Sequence, residues 1–276
     1  MRSLFGSAVL HKEAAYFPYK DSIYAYTYAQ DTWKELKVTL NSGFGLAVVK
    51  NALTTVGGLD NKTKQKVSSL LCYTDNLWKE VLPSMPTKKK YPATVSTPNH
   101  LLVAGGFLSA SVEVLDTENM QWFVTEPLPQ HNTYPHMKLC DGFLYVSHEH
   151  TVFHCSVKDL LESCQSPSIM YNSNQGSSVW TRLADIPVTF STLETLKGRV
   201  LAIGGYYSSR AGEPTGAIHC YNVATNSWSV IDEMPTPRGA ALTAVLPNDT
   251  LLVVGGRSMN NEICSATEIG HFDLCA

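Results

Sequence analysis

The sequence predicts an all-β fold assembled from repeated propeller blades. Three observations carry that prediction: evenly spaced tryptophans, glycine pairs at a nearly fixed distance behind them, and almost no apolar spacing of three and four that would mark helices. Trp33, Trp78, Trp122, Trp180 and Trp228 are separated by 45, 44, 58 and 48 residues. Gly57-Gly58, Gly105-Gly106, Gly204-Gly205 and Gly255-Gly256 follow a tryptophan by 24, 27, 24 and 27 residues. Behind Trp122 the frame persists without glycine, with Ser147 standing 25 residues on.

Leu201 to Gly256 serves as the reference unit: an apolar run ending in Gly-Gly, a polar loop, a run ending in Tyr221, a turn into Trp228, and Met234-Pro235-Thr236 before the next apolar run. The runs Leu53–Val56, Leu101–Ala104, Val200–Ile203 and Leu251–Val254 are mostly apolar, as strands buried on both faces between neighbouring blades must be. Glycine at their ends permits positive φ and close backbone approach. Seven residues before a tryptophan stand Tyr26, Leu71, Leu115 and Tyr221, and Asp116–Asn119 or Asn222–Asn226 turn that strand back. The tryptophans fill gaps between blades and belong to the core.

In order, the blades span about 6–38, 41–83, 84–127, 128–183, 184–232 and 233–276, a single domain. Blade one takes Ala14–Phe17 as its second strand, with Pro18 at the glycine position. Blade four has Thr151–Ser156 as its third strand. An insertion follows, in which Val157–Glu162 forms one or two helical turns and Ser163–Ser178 a polar loop. In blade six the strand Ala266–Ile269 is followed by no tryptophan strand, and Met1-Arg2 already aligns with the phrase before an innermost strand. The expectation is a three-stranded last blade in a chain cut or shortened from a longer protein whose outer strand lies before Met1, with an outer edge open to pairing.

The glycine pairs, the aromatic pairs Tyr26/Trp33 and Tyr221/Trp228, and the Met-Pro-Thr phrases at Met85 and Met234 resemble the kelch repeat over nearly the whole chain. The resemblance implies a six-bladed kelch-type β-propeller.

Composition excludes several functions. With 276 residues, 44% hydrophobic, a net charge of -3 and pI near 6.3, the chain forms a sizeable core and has no bulk attraction for nucleic acid. Lys88-Lys89-Lys90 is the one basic run. Seven scattered cysteines without a Cys-x-x-Cys pair read as free thiols of a reducing compartment. The two glycosylation sequons, at Asn61 and Asn248, need a secretory route that the sequence does not show, and the run Leu4–Leu10 is too short to span a membrane. A soluble cytoplasmic protein is expected.

For chemistry, His148, His150 and His154 flank Glu149. On a strand the first two would share a face, as a metal site requires, whereas a tight hairpin in a blade without glycines needs no metal. His131 and His136 read as surface residues of an inter-blade loop. No nucleophile elbow, phosphate loop or His-Glu-x-x-His stretch is present, and Tyr206-Tyr207 lacks a converging Tyr/His set for copper, so no catalytic residue, metal or cofactor is assigned. The loops on one face of the ring remain. They offer Lys88, Lys89, Tyr91, Phe107, His136, His148, Tyr206, Tyr207, Arg210, Arg238 and Arg257 to a protein or peptide partner, not to nucleic acid or membrane. The leading reading is a non-catalytic interaction module such as the recognition domain of a ubiquitin-ligase adaptor or a cytoskeletal scaffold. No BTB, F-box or BACK-like segment precedes blade one. The alternative is a propeller enzyme acting on a sugar or small metabolite at the channel mouth.

Overall fold

Five four-stranded antiparallel sheets and one three-stranded sheet follow one another along the chain in a computed structural model that describes residues 7–164, 178–207, 212–259 and 262–271. Blade one comprises Val9–His11, Ala14–Tyr19, Ser22–Thr27 and Thr32–Lys37; blade two Gly45–Val49, Ala52–Val56, Leu70–Thr74 and Leu77–Lys79. Blade three comprises Ala93–Ser96, His100–Ala104, Val112–Asp116 and Gln121–Val124; blade four His136–Cys140, Phe143–His148, Thr151–Ser156 and Thr181–Arg182. Blade five holds Thr192–Leu196, Arg199–Tyr206, Pro214–Asn222 and Ser227–Glu233; blade six holds Leu242–Leu246, Thr250–Val254 and Thr267–His271. The first strands neighbour one another around a central channel, and blade six meets blade one there.

The core is distributed over six seams rather than gathered in one centre. Leu102, Val114, Leu144 and Val146 join blade three to four; Val152, Leu193 and Ala202 join four to five; Ile218, Leu251 and Val253 join five to six. Phe17 and Ala15 meet Leu242 and Leu252 where blade six returns to blade one. Each such side chain, removed from water on both faces of a thin sheet, contributes roughly 1.5–3 kcal/mol.

The second strand of every blade leaves the channel toward one face of the ring, and there the blades divide into two kinds. In blades two, three, five and six it ends in a glycine pair, the first glycine at φ near +60° (Gly204 +60°) and the second wider (Gly205 +115°), and a long loop follows. Only glycine holds the second angle without strain. Blades one and four instead make two-residue turns, Lys20-Asp21 and Glu149-His150, with Lys20 and Glu149 at positive φ.

Several sequence expectations shift in register. Counted from the preceding hairpin turn, the glycine position falls on Tyr19, not Pro18, in blade one and on His148, not Ser147, in blade four. Tyr26 faces Trp33, Leu115 faces Trp122 and Tyr221 faces Trp228, but in blade two Trp78 pairs with Tyr73 rather than standing seven residues from its partner. The reason is a shorter turn, Asp75-Asn76, with both residues left-handed. The helix Val157–Glu162 forms, capped by Ser156, whose hydroxyl accepts from the Asp159 N–H. Residues 165–177 of the polar loop, Arg210, Arg2 and Cys275 lie outside the described residues.

The tryptophans are not uniformly core. Trp122 and Trp180 are buried, Trp78 and Trp228 half-buried, and Trp33 is 41% exposed. Four indoles reach back one blade to donate to a carbonyl: Trp78 to Lys37 (2.9 Å), Trp122 to Pro83 (2.9 Å), Trp180 to Glu126 (3.3 Å) and Trp228 to Ala184 (2.9 Å). Those acceptors lie at or just beyond the outer strand of the preceding blade. Among the described residues blade six shows three strands, and the Trp33 indole has no such partner there.

Candidate loop-face binding site

The Met-Pro-Thr phrase builds the floor of the loop face. At Met234-Pro235-Thr236-Pro237-Arg238 the methionine methyl and the Arg238 carbonyl press on Gly204 so closely that an added Cβ would collide with both. The Gly205 N–H donates to the same carbonyl at 2.9 Å. The guanidinium then runs forward under blade six, where it donates to the carbonyls of Gly255 (3.1 Å) and Ala266 (2.8 Å) and pairs with Glu268 at 2.5 Å. One residue therefore pins two blades.

Three blades earlier the construction repeats with lysine. Lys89 takes the Gly58 N–H on its carbonyl (2.7 Å), and its ammonium reaches Ser111 O (3.0 Å), Gly105 O (3.4 Å) and the Glu113 carboxylate (3.6 Å). Thr87 also donates to that carboxylate. Burial pushes the Lys89 ammonium below its ordinary pKa, against the opposing pull of Glu113.

These contacts correct the sequence reading, which offered Lys89, Arg238 and His136 to a partner. Lys89 and Arg238 have fully buried side chains, because the chain enters the next blade here and turns alternate residues inward. His136 begins the innermost strand of blade four and is buried. The loss of hydration, with Lys138 nearby, lowers its pKa to about 4. The missed signal was the lone carboxylate in each apolar third strand, Val112-Glu113-Val114 and Thr267-Glu268-Ile269, which needs a buried cation.

The remaining candidates separate into two sectors. Over blades two and three, Lys88 is exposed, and Tyr91 and Phe107 are half-buried. Tyr91 packs on Tyr134 with ring centroids 4.9 Å apart. The Lys90 ammonium lies 4.8 Å from the Tyr91 ring and 5.3 Å from the Phe107 ring, and Lys66 lies 5.7 Å from Phe107 while donating to its carbonyl at 2.9 Å. Lys66 and Tyr134 were not singled out from sequence and Lys90 was read only as part of the run 88–90, although Lys62, Lys64 and Lys66 alternate visibly behind Gly57-Gly58. Over blades five and six, Tyr206 donates to the Arg257 carbonyl (3.1 Å) and covers Gly239, a supporting role, while Tyr207 is 62% exposed.

His148 ends its strand and His150 sits in the following turn, so the pair does not share a strand face. His150 lies 3.8 Å from Asp185, and His154 stacks on Phe143 at 5.4 Å. Among the described residues no three His, Cys, Asp or Glu side chains converge on a metal position, and no helix is long and apolar enough to cross a membrane. The six described cysteines are free, and burial pushes the Cys155 thiol up to about 12.

Two concavities lie away from the loops. A groove of about 810 Å³ between blades four and five is lined by Phe143, Tyr145, Arg199, Tyr221 and Val230, and a cavity of about 310 Å³ in the channel by Ala8, Leu46, Thr94 and Met137. In the channel Lys138 and Glu194 pair at 2.7 Å, and Thr243 donates to the same carboxylate at 3.1 Å, tying three innermost strands together.

Comparison with known proteins agrees with this architecture. The family model of the Kelch motif matches residues 187–235, within blade five and its exit. The human influenza virus NS1A-binding protein is 26% identical over 160 residues, which are 57% of this chain but about a quarter (24%) of that protein's length. The solved structure of YjhT superposes with a TM-score of 0.73 at 13% identity, covering 98% of this chain and 97% of that one. With the repeat, the ring and these matches together, the chain is a six-bladed β-propeller with a Kelch motif in blade five.

Proposed function

We propose that this propeller is a non-catalytic protein-interaction module whose loop face carries the binding site, in the manner of a substrate-recognition domain of a ubiquitin-ligase adaptor or a cytoskeletal scaffold. One observation carries the reading. Four glycine-ended blades raise loops of different length and chemistry, and two of the floors beneath them are built alike and pinned by buried ion pairs. A rigid scaffold with divergent loops is how binding surfaces are presented. The named relative is itself a protein-binding protein, which points the same way.

The test is affinity capture from lysate with the tagged chain, alongside Tyr207→Ala/Lys88→Ala and Val230→Ser/Phe143→Ser variants, and metal analysis of the purified protein. The expected result is a partner retained by the groove variant and lost by the loop variant. Stoichiometric copper without any loop-dependent partner would instead favour an enzyme.

A further inference from the structure

We infer that the sector of the loop face over blades two and three docks an acidic, extended segment of a partner protein, one carrying a single apolar residue among carboxylates. The inference rests on the loop-face reading above and adds the partner's chemistry.

Five of the 21 cationic side chains outside histidine gather here: Lys62, Lys64 and Lys66 from the loop behind Gly57-Gly58, and Lys88 and Lys90 from the entry to blade three. Lys20, in the two-residue turn of blade one, stands on the same face. Lys62, Lys64 and Lys88 are exposed. Among the described residues none of the five has a carboxylate within ion-pair distance, although the chain carries more acids than bases. The nearby carboxylate of Asp60 is engaged by its own loop, accepting from the N–H groups of Lys62 (3.0 Å) and Thr63 (2.6 Å) and from the Thr63 hydroxyl (2.9 Å), and offsets part of the Lys62 charge alone. By contrast the buried cations Lys89, Lys138 and Arg238 are all paired. Five lysines therefore share this sector, none of them in an ion pair among the described residues.

The second observation is the floor beneath it. Lys66 and Lys90 flank one aromatic ring, Phe107, from two different loops, with Tyr91 and Tyr134 packed beside it and Leu108 65% exposed next to it. Lys66 is further fixed by its bond to the Phe107 carbonyl. Ammoniums held over rings keep their charge while losing little side-chain freedom on binding. The apolar centre between two cations fits a segment that places a carboxylate on each side of one apolar side chain. A nucleic acid would be a different occupant, and the overall negative charge of the chain disfavours it.

The test is fluorescence anisotropy of a labelled decapeptide of Asp and Glu with one central Leu, at about 50 mM salt and again at about 300 mM. The expected result is saturable binding that weakens at least about tenfold on reversing two charges in Lys66→Glu/Lys90→Glu, and that falls with salt. Val230→Ser, an exposed position in the groove between blades four and five, should bind as wild type. A Lys62→Glu/Lys64→Glu/Lys88→Glu variant, confined to exposed side chains, should weaken binding as well, which separates charge from any loss of the Lys66 to Phe107 bond. Binding unchanged by either reversal, no binding at low salt, or an oligothymidylate binding more tightly through the same lysines would each overturn the inference. If the decapeptide fails while a lysate partner is still lost in the Tyr207→Ala/Lys88→Ala variant, the loop-face reading stands and the acidic-partner assignment falls.

Discussion

The entry to blade three and the entry to blade six are built alike and crowned differently. Beneath, Lys89 with Glu113 and Arg238 with Glu268 occupy the same place relative to a methionine, a glycine pair and a third-strand carboxylate. Above, one carries lysines around Phe107 and the other a tyrosine surface at Tyr206 and Tyr207. The charged residues that look most like contacts are those that hold the blades, while Lys88, one residue from Lys89, is exposed to solvent.

The largest effect expected from breaking this comparison is at the pins. Arg238→Ala leaves Glu268 and three carbonyls, of Thr236, Gly255 and Ala266, without their donor and should lower stability by about 3–5 kcal/mol in chemical denaturation, and Lys89→Ala by a similar amount. The double change Lys89→Met/Glu113→Leu, which removes both charges, should cost far less than Lys89→Ala.

Glycine comes next. Gly204→Ala places a Cβ against the Arg238 carbonyl and Met234 in a left-handed backbone and should cost about 3 kcal/mol. Gly142→Ala, also left-handed (φ +80°) but with no atom within 4 Å, should cost only about 1–2 kcal/mol. Thermal melts of the two variants compare strain alone with strain plus collision.

Acid sensitivity sits at His136. Its folded pKa near 4 lies below the unfolded value of 6.5, so the unfolded chain takes up the proton first. The neutral imidazole's contribution is present above pH 6.5 and is lost as pH falls toward 4, by about 3 kcal/mol at most. His136→Gln should lessen the fall in melting temperature between those limits without abolishing it, because burial also lowers the pKa of His148, His154 and His219, whatever the change does to stability at neutral pH.

The smallest effect distinguishes the seams. Trp228→Phe forfeits the bond to the Ala184 carbonyl and should cost about 1 kcal/mol more than Trp33→Phe, whose indole donates to none of the described residues.

The repeat itself was legible because its features recur for local reasons: glycine for positive φ and tryptophan opposite tyrosine. What was not legible depended on long-range pairing. Lys89 is indistinguishable in a Lys-Lys-Lys run from its exposed neighbour Lys88, and its partner Glu113 lies 24 residues on, in another strand. Trp33 shares its motif with four other tryptophans, yet its exposure depends on the neighbouring blade. The aromatic-basic sector joins residues from three loops, Lys66, Lys90 and Phe107, that no local pattern connects.

The claim that the loop face is the binding surface is tested most directly by site-specific photocrosslinking in lysate, with the crosslinker placed singly at Lys88, Tyr207, Phe143 and Val230. The account predicts partner adducts from Lys88 or Tyr207 on the loop face and none from Phe143 or Val230 in the groove between blades four and five. Adducts confined to the groove positions would contradict it.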